Sequence, residues 1–312
     1  MATARVSATT GAVEQALRGR RTDVGGVAFR LALFGALLIS LLILVILLAD
    51  VFRTAWPVFR DRGVADFVTS NISSLPERAG VRQGIIGSLY IVAFVVVIAI
   101  PLGIGGAIYM EEYARDTRLT RVINANIRNL AGVPAIVYGL LGIALFVQFQ
   151  ALQPITGGRS IISGGLTIAI LVLPIVIITS AEALRSVPHS IREAAFGVGA
   201  TRWEVVRSHV LPYAAPGIFT GTVLTLARAF GETAPLILLG AATGFLSTGS
   251  AGFVDTLKGP YTALPTLVFA YARKNLRAFE QTTAATIVTL LVVLLLVNAT
   301  AIILRNRYER KW

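Results

Sequence analysis

Six stretches of this chain are too long and too apolar to close on themselves in water. Residues 31–49 are nineteen uncharged residues. Residues 83–110 are twenty-eight, with Pro101 and several glycines inside. Residues 129–158 are thirty, enough for one span and an outer turn, and 160–181 are twenty-two. Residues 212–241 are thirty, broken only by Arg228 and Glu232, and 281–304 are twenty-four. An α-helix needs about 20 apolar residues to cross the hydrocarbon core of a bilayer. The fold class expected is an all-α integral membrane protein with six transmembrane helices.

Composition points the same way. Hydrophobic residues make up 55% of the chain and charged residues 14%, where a soluble domain carries about 25% charged residues. Residues 31–49 are longer than the apolar core of a cleaved signal peptide, and DVFRTAW follows them, not a small-residue cleavage site. This segment is read as a retained span.

With no cysteine in the chain, disulfides, thiolate nucleophiles and cysteine metal sites are excluded. The histidines, His189 and His209, are read as loop-packing or partner-contact residues, and no metal site is expected. The lysines are Lys258, Lys274 and Lys311, and none follows glycine. The glycine-rich phosphate loop that ends in Gly-Lys is therefore absent. No cofactor is expected on this chain and no catalytic residue. The net charge of +12 is assigned to cytoplasmic loops and anionic membrane lipid, not to nucleic acid.

Arginines set the orientation. They cluster in the N-terminal tail (Arg5, Arg18, Arg20, Arg21, Arg30) and in the second connection (Arg115, Arg118, Arg121, Arg128). They cluster again in the fourth connection (Arg185, Arg192, Arg202, Arg207) and, with Lys311, at the C-terminus (Arg305, Arg307, Arg310). All four groups share one side if both termini are cytoplasmic, as the positive-inside rule favours. The fifth connection, with Lys258, Arg273, Lys274 and Arg277, fits this rule poorly. The organisation expected is a mobile cytoplasmic tail at 1–27, then a first span and outer loop at 28–82. A five-helix core follows at 83–305, with a cytoplasmic loop at 185–212, and a C-terminal tail at 306–312. Residues 242–265, rich in Gly, Ser, Thr and Pro, read as an outer loop.

The cytoplasmic loop reads SIREAAFGVGATRWEVVRSHVLP over 190–212. Ser190 stands three residues before Glu193, and Thr201 three before Glu204, the spacing of capping boxes. Gly199 suits the left-handed turn that ends the first helix, and Pro212 marks where the second helix meets the next span. An interfacial helical hairpin explains this pattern, and so does a lever that docks on a cytoplasmic partner.

Glu193-Ala194-Ala195, then Gly199, then Leu211-Pro212 resembles the EAA loop of ATP-binding-cassette importer permeases, with His209 where an aliphatic residue is usual. The resemblance implies a type I (MetI-like) permease core. It assigns ATPase coupling to Glu193, Ala194, Ala195, Gly199, Thr201, Glu204, Leu211 and Pro212. YMEEY at 109–113, NLAGVPAIVYGLLGIALFV at 129–147 and ARAFGETAP at 227–235 are similar to the phosphate importer permeases of the Pst system, PstA-like more than PstC-like. What this implies is a multi-pass subunit of the cytoplasmic membrane that imports inorganic phosphate by alternating access. Its partners would be a homologous second permease (PstC-like), a dimeric cytoplasmic ATPase (PstB-like) that uses ATP and Mg, and an extracytoplasmic phosphate-binding protein (PstS-like).

Arg228 and Glu232 are the residues expected on the substrate pathway. An ionisable group deep in a span costs about 2.5–3.5 kcal/mol on insertion scales. At i and i+4 the two share a helix face, but Arg before Glu is the less favourable order for helix stability. Guanidinium is planar and binds oxyanions at two points. A carboxylate can accept the proton of hydrogen phosphate, which sulfate lacks at neutral pH. Mutual neutralisation of the pair is the plainer reading. Gly231 is expected to admit a neighbouring helix closely. Arg185 is a second pathway candidate, and Glu111 and Glu112 with Tyr109 and Tyr113 read as an interfacial belt with a capping role. The rival functions are a permease for sulfate or molybdate, an ion-coupled secondary transporter, and a membrane receptor or scaffold.

Overall fold

The computed structural model describes residues 24–241, 252–274 and 277–308. The chain divides into two units, Met1–Asp50 and Val51–Trp312. The described part of the first is the opening of a long helix, α1 (Val24–Arg62). Its Leu, Ile and Phe side chains are exposed along 29–47, as an apolar span that faces lipid requires. Most of the expected tail, residues 1–23, lies outside the described residues.

The second unit continues α1 through Pro57 and adds α2 (Val64–Thr69), α3 (Arg82–Tyr113), α4 (Arg118–Ala131) and α5 (Ala135–Gln148). Then come α6 (Gln153–Thr156), α7 (Ile161–Arg185), α8 (His189–Gly197) and α9 (Arg202–Gly231). The last are α10 (Ala234–Leu238), α11 (Phe253–Lys258), α12 (Leu264–Ala272) and α13 (Arg277–Tyr308). Among the described residues there is no strand. Five helices (α1, α3, α7, α9 and α13) are long and apolar enough to cross a membrane, and the bent pair α4–α5 makes a sixth span if it is counted as one.

Helix α7 is the centre of this unit. It packs against α3, α5 and α9, and Ile168, Leu171, Val172 and Val176 are buried along it. Small residues let the helices approach: a Cβ at Gly221 of α9 would sit 2.6 Å from Oγ1 of Thr179 on α7. Several threonines buried between helices are satisfied within their own helix. Thr167 donates to the Ser163 carbonyl at 2.7 Å, Thr225 to Gly221 at 2.9 Å and Thr286 to Thr282 at 2.7 Å. Where water is absent, this back-bonding avoids an unpaired hydroxyl.

Two spans differ from their sequence-based expectation. The third is not continuous over 129–158. Its apolar helix starts at Ala135, and α4 before it lies at 101° to it. Gly132 ends α4 and Pro134, which bars a regular helical turn before it, opens α5. The fifth does not run to 241. Helix α9 stops at Gly231, Glu232 is extended at φ −71° and ψ 121°, and α10 begins only at Ala234, with Pro235 in its first turn. Pro212, in turn, breaks nothing. The segment from Arg202 runs into the span as one helix, with a π turn at Val206–Val210 just before Pro212. A second π turn, Val95–Ala99, precedes Pro101 in α3. A proline ring clashes with the carbonyl four residues back in a regular helix, and the wider turn accommodates it.

The expected outer loop at 242–265 is only partly described, since 242–251 lie outside the described residues. Its remainder holds α11 and the start of α12.

Candidate substrate pathway and coupling site

Arg228 sits in the last turn of α9, where a cation interacts favourably with the helix C-terminus. Glu232 caps that helix instead of sharing a face with Arg228. The two still meet, Nε to Oε1 at 3.4 Å. That is long for a charge-assisted hydrogen bond, which runs to about 2.7–2.9 Å. The Arg228 side chain is half exposed and Glu232 mostly covered. The arrangement is a loose pair at a helix break, with a guanidinium free to take a second acceptor. Gly231 does not admit a neighbouring helix, because a Cβ there would meet nothing within 4 Å. The close approach is made from the other side of the break. A Cβ at Gly139 of α5 would lie 2.8 Å from Cα of Pro235 and 2.9 Å from Cδ1 of Leu238. So α10 is pressed onto α5, and the break is fixed in place.

The cytoplasmic loop has the expected helix, turn and second helix. Gly199 has φ +86°. Thr201 and Glu204 form a complete capping box: Glu204 Oε2 accepts from the Thr201 amide at 2.7 Å, and Thr201 Oγ1 accepts from the Glu204 amide at 3.4 Å. The other expected box does not form. Helix α8 starts at His189 with Pro188 in the cap position and no side-chain cap, so Ser190 is already inside the helix. Pro188 fixes the turn after α7 and starts α8 early.

Ala195 is buried with Leu184, Val187, Val205 and Val210, and Leu211 packs against this cluster. Glu193, Ala194 and His209 are exposed, and Pro212 is partly covered. Phe196, Trp203 and Val198, the last 86% exposed, give the loop a bare apolar surface. Exposed apolar surface of this kind is common at protein–protein contacts.

Arg185 is not free. Its Nε and Nη2 donate to Glu111 Oε2 and Oε1 at 2.8 and 2.5 Å. Arg192 donates to Glu112 Oε1 at 2.7 Å and to the carbonyls of Val187 and Leu184 at 2.7 and 2.9 Å. The Arg202 guanidinium lies 5.8 Å from the ring centroid of Tyr113. Glu111, Glu112, Arg185, Arg192 and Arg202 line a cleft of about 540 Å³ with His189 and Phe196. The belt reading of Glu111 and Glu112 missed these pairs. The available signal was two consecutive carboxylates at a span end on the same side as the arginine-rich fourth connection.

The arrangement is a bundle of apolar helices with a charged break in one span and a helical hairpin between two spans. Residues 99–311 match the family of binding-protein-dependent transport system inner membrane components, and the chain belongs to that family. A probable ABC transporter permease protein of Bacillus subtilis, YqgI, is 36% identical over 178 residues, and the chain spans 58% of its length and matches it over 57% of its own. The phosphate transport system permease protein PstA 1 of Mycobacterium tuberculosis is 31% identical over 255 residues, 81% of this chain and 77% of that protein. In fold, the chain is similar to a bacterial alginate ABC transporter in complex with an alginate pentasaccharide-bound periplasmic protein. There the TM-score is 0.65 at 15% identity, covering 92% of this chain and 98% of that one.

Proposed function

We propose that this chain is the A-type permease subunit of an ATP-driven importer of inorganic phosphate. It works with a second, homologous permease, two copies of a cytoplasmic ATPase and an extracytoplasmic phosphate-binding protein, and both termini are cytoplasmic. The observation that carries the substrate is the likeness to a phosphate permease across 81% of the chain. The exposed Phe196, Val198 and Trp203 are the ATPase docking surface, held by the Gly199 turn and the Thr201–Glu204 box. ATP-driven closure of the ATPase moves this hairpin and turns the pathway inward, a rigid-body switch between two arrangements. Arg228 stabilises the anion in transit, and Glu232 orients the guanidinium and accepts a hydrogen bond from the P–OH of hydrogen phosphate. Arg185, gripped by Glu111, belongs to the coupling end.

The test is labelled phosphate uptake by the whole complex in vesicles, at matched abundance. Arg228→Leu with Glu232→Leu removes two costly charges and leaves neither unpaired, so the complex is expected to assemble but to transport poorly. Arg228→Lys is expected to lose roughly tenfold or more, since ammonium lacks the two-point grip. Near-normal uptake by the double leucine variant refutes the pathway role.

A further inference from the structure

Helix α8, which carries Glu193, Ala194 and Ala195 of the loop proposed to couple to the ATPase, is weakly rooted. Of its nine residues only Ala195 is buried. A displacement of α8 therefore needs another route into the spans, and Arg192 supplies it. Its Nη1 donates to the Val187 carbonyl just after α7, and its Nη2 donates both to the Leu184 carbonyl in the last turn of α7 and to the carboxylate of Glu112 at the end of α3. The two side chains are 16% and 9% exposed.

Glu112 is not alone. Glu111, Glu112 and Tyr113 are consecutive in the π turn that ends α3, and each receives an arginine from a different element. Arg185 comes from the end of α7, Arg192 from α8 and Arg202 from the start of α9. A π turn is wider than an α turn, so successive residues diverge less around the axis, and such turns occur often at functional sites. Here two adjacent carboxylates address one cleft. Ion pairs out of water add little net stability over apolar residues of the same volume. What two ion pairs and a cation–ring contact on one turn supply is orientation: they fix the end of α3 to both limbs of the hairpin and to α7.

We propose that the Glu111–Glu112–Tyr113 turn is the hub through which hairpin movement enters the spans, with Glu112 and Arg192 as positioning residues that make α3 and α8 move as one body. The proposal rests on the chain acting in an ATP-driven importer, but not on phosphate as its substrate. Two measurements on the whole reconstituted complex test it. The first is anion uptake per ATP hydrolysed, with phosphate as the anion. Glu112→Gln keeps the shape and removes the charge. It is expected to leave ATPase co-purification intact and to cut uptake per ATP about tenfold, within the usual range of coupling energies. Glu112→Asp, which keeps the charge, restores most of the ratio. A ratio unchanged in Glu112→Gln, or an uptake loss that only follows the amount of assembled complex, overturns the hub.

The second measurement needs no transported substrate. In this cysteine-free chain, spin labels at Leu102→Cys and Ser190→Cys, both exposed positions on α3 and α8, report the distance between the two helices. ATP is expected to leave that distance unchanged in the native background and to shift or broaden it in Glu112→Gln. If the distance responds to ATP equally in both, the hub is wrong. Absence of phosphate uptake by the native complex counts against phosphate alone, while the spin-label distances still decide the hub.

Discussion

Gly199 shows how much one residue can determine in this chain. Its φ of +86° is a left-handed conformation, and nothing lies within 4 Å of where a Cβ would stand. A substitution there meets no clash, only the backbone cost of about 1–2 kcal/mol that an L-residue bears in that region. Asparagine visits it more readily than other residues. Gly199→Val is therefore expected to distort the hairpin and weaken ATPase capture, and Gly199→Asn to retain most of it. The measurement is co-purification of the ATPase with each variant. Equal capture by the two would show that the turn geometry does not matter.

This residue was legible in the sequence because its cause is local, as was the Thr201–Glu204 box, complete within three residues. Ser190 and Glu193 had the same spacing and formed no box, because Pro188 started the helix two residues too early for Ser190 to cap it. The hub was not legible. Its ion pairs join residues 74 and 80 positions apart, and no local pattern registers such a meeting.

At the scale of elements, apolar length located the spans, and backbone chemistry decided where they break. The sequence contains prolines at 101, 134, 212 and 235, and their outcomes differ. Pro101 and Pro212 are carried inside continuous helices by the π turns before them. Pro134 and Pro235 stand where a helix begins anew. Composition cannot separate these cases, because the outcome depends on what packs beside the break. At Pro235 that neighbour is Gly139. Gly139→Val would push side-chain atoms into Pro235 and Leu238, an overpacking that costs about 1–3 kcal/mol. It is expected to displace α10, disturb the Arg228–Glu232 corner and lower both the thermal midpoint of the purified complex and its uptake. Gly231→Ala, placed in open space on the other side of the same corner, is expected to change both far less. Comparable losses in the two variants would mean that the α5–α10 contact does not hold the break.

At the scale of the second unit, polar contacts sort the connections into two ends. One end gathers 111–113, 185, 192 and 202 around the hub. The other is tied by different bonds. The Tyr271 hydroxyl donates to the Gly80 carbonyl at 2.9 Å, Lys274 Nζ to the Ser73 carbonyl at 3.3 Å and Lys258 Nζ to the Pro154 carbonyl at 2.7 Å. Arg62 reaches the Ala79 carbonyl at 2.8 Å. This gives a physical account of the fifth connection, whose lysines fit the positive-inside rule poorly. Lys258 and Lys274 bind carbonyls of other connections at that end, and Lys274 also lies 4.1 Å from the Phe279 ring centroid. Burial there lowers its pKa below the usual lysine value. Their place follows from structure and not from membrane polarity.

The proposed topology puts the arginine-rich hub end in the cytoplasm, and the cysteine-free background makes this testable. Ser74→Cys and Ser208→Cys are exposed positions at opposite ends. In intact cells a membrane-impermeant maleimide is expected to label position 74 and to reach position 208 only after permeabilisation. Labelling of 208 from outside would invert the topology. It would also remove the hairpin from any cytoplasmic ATPase, and with it the coupling role of the Glu112–Arg192 pair.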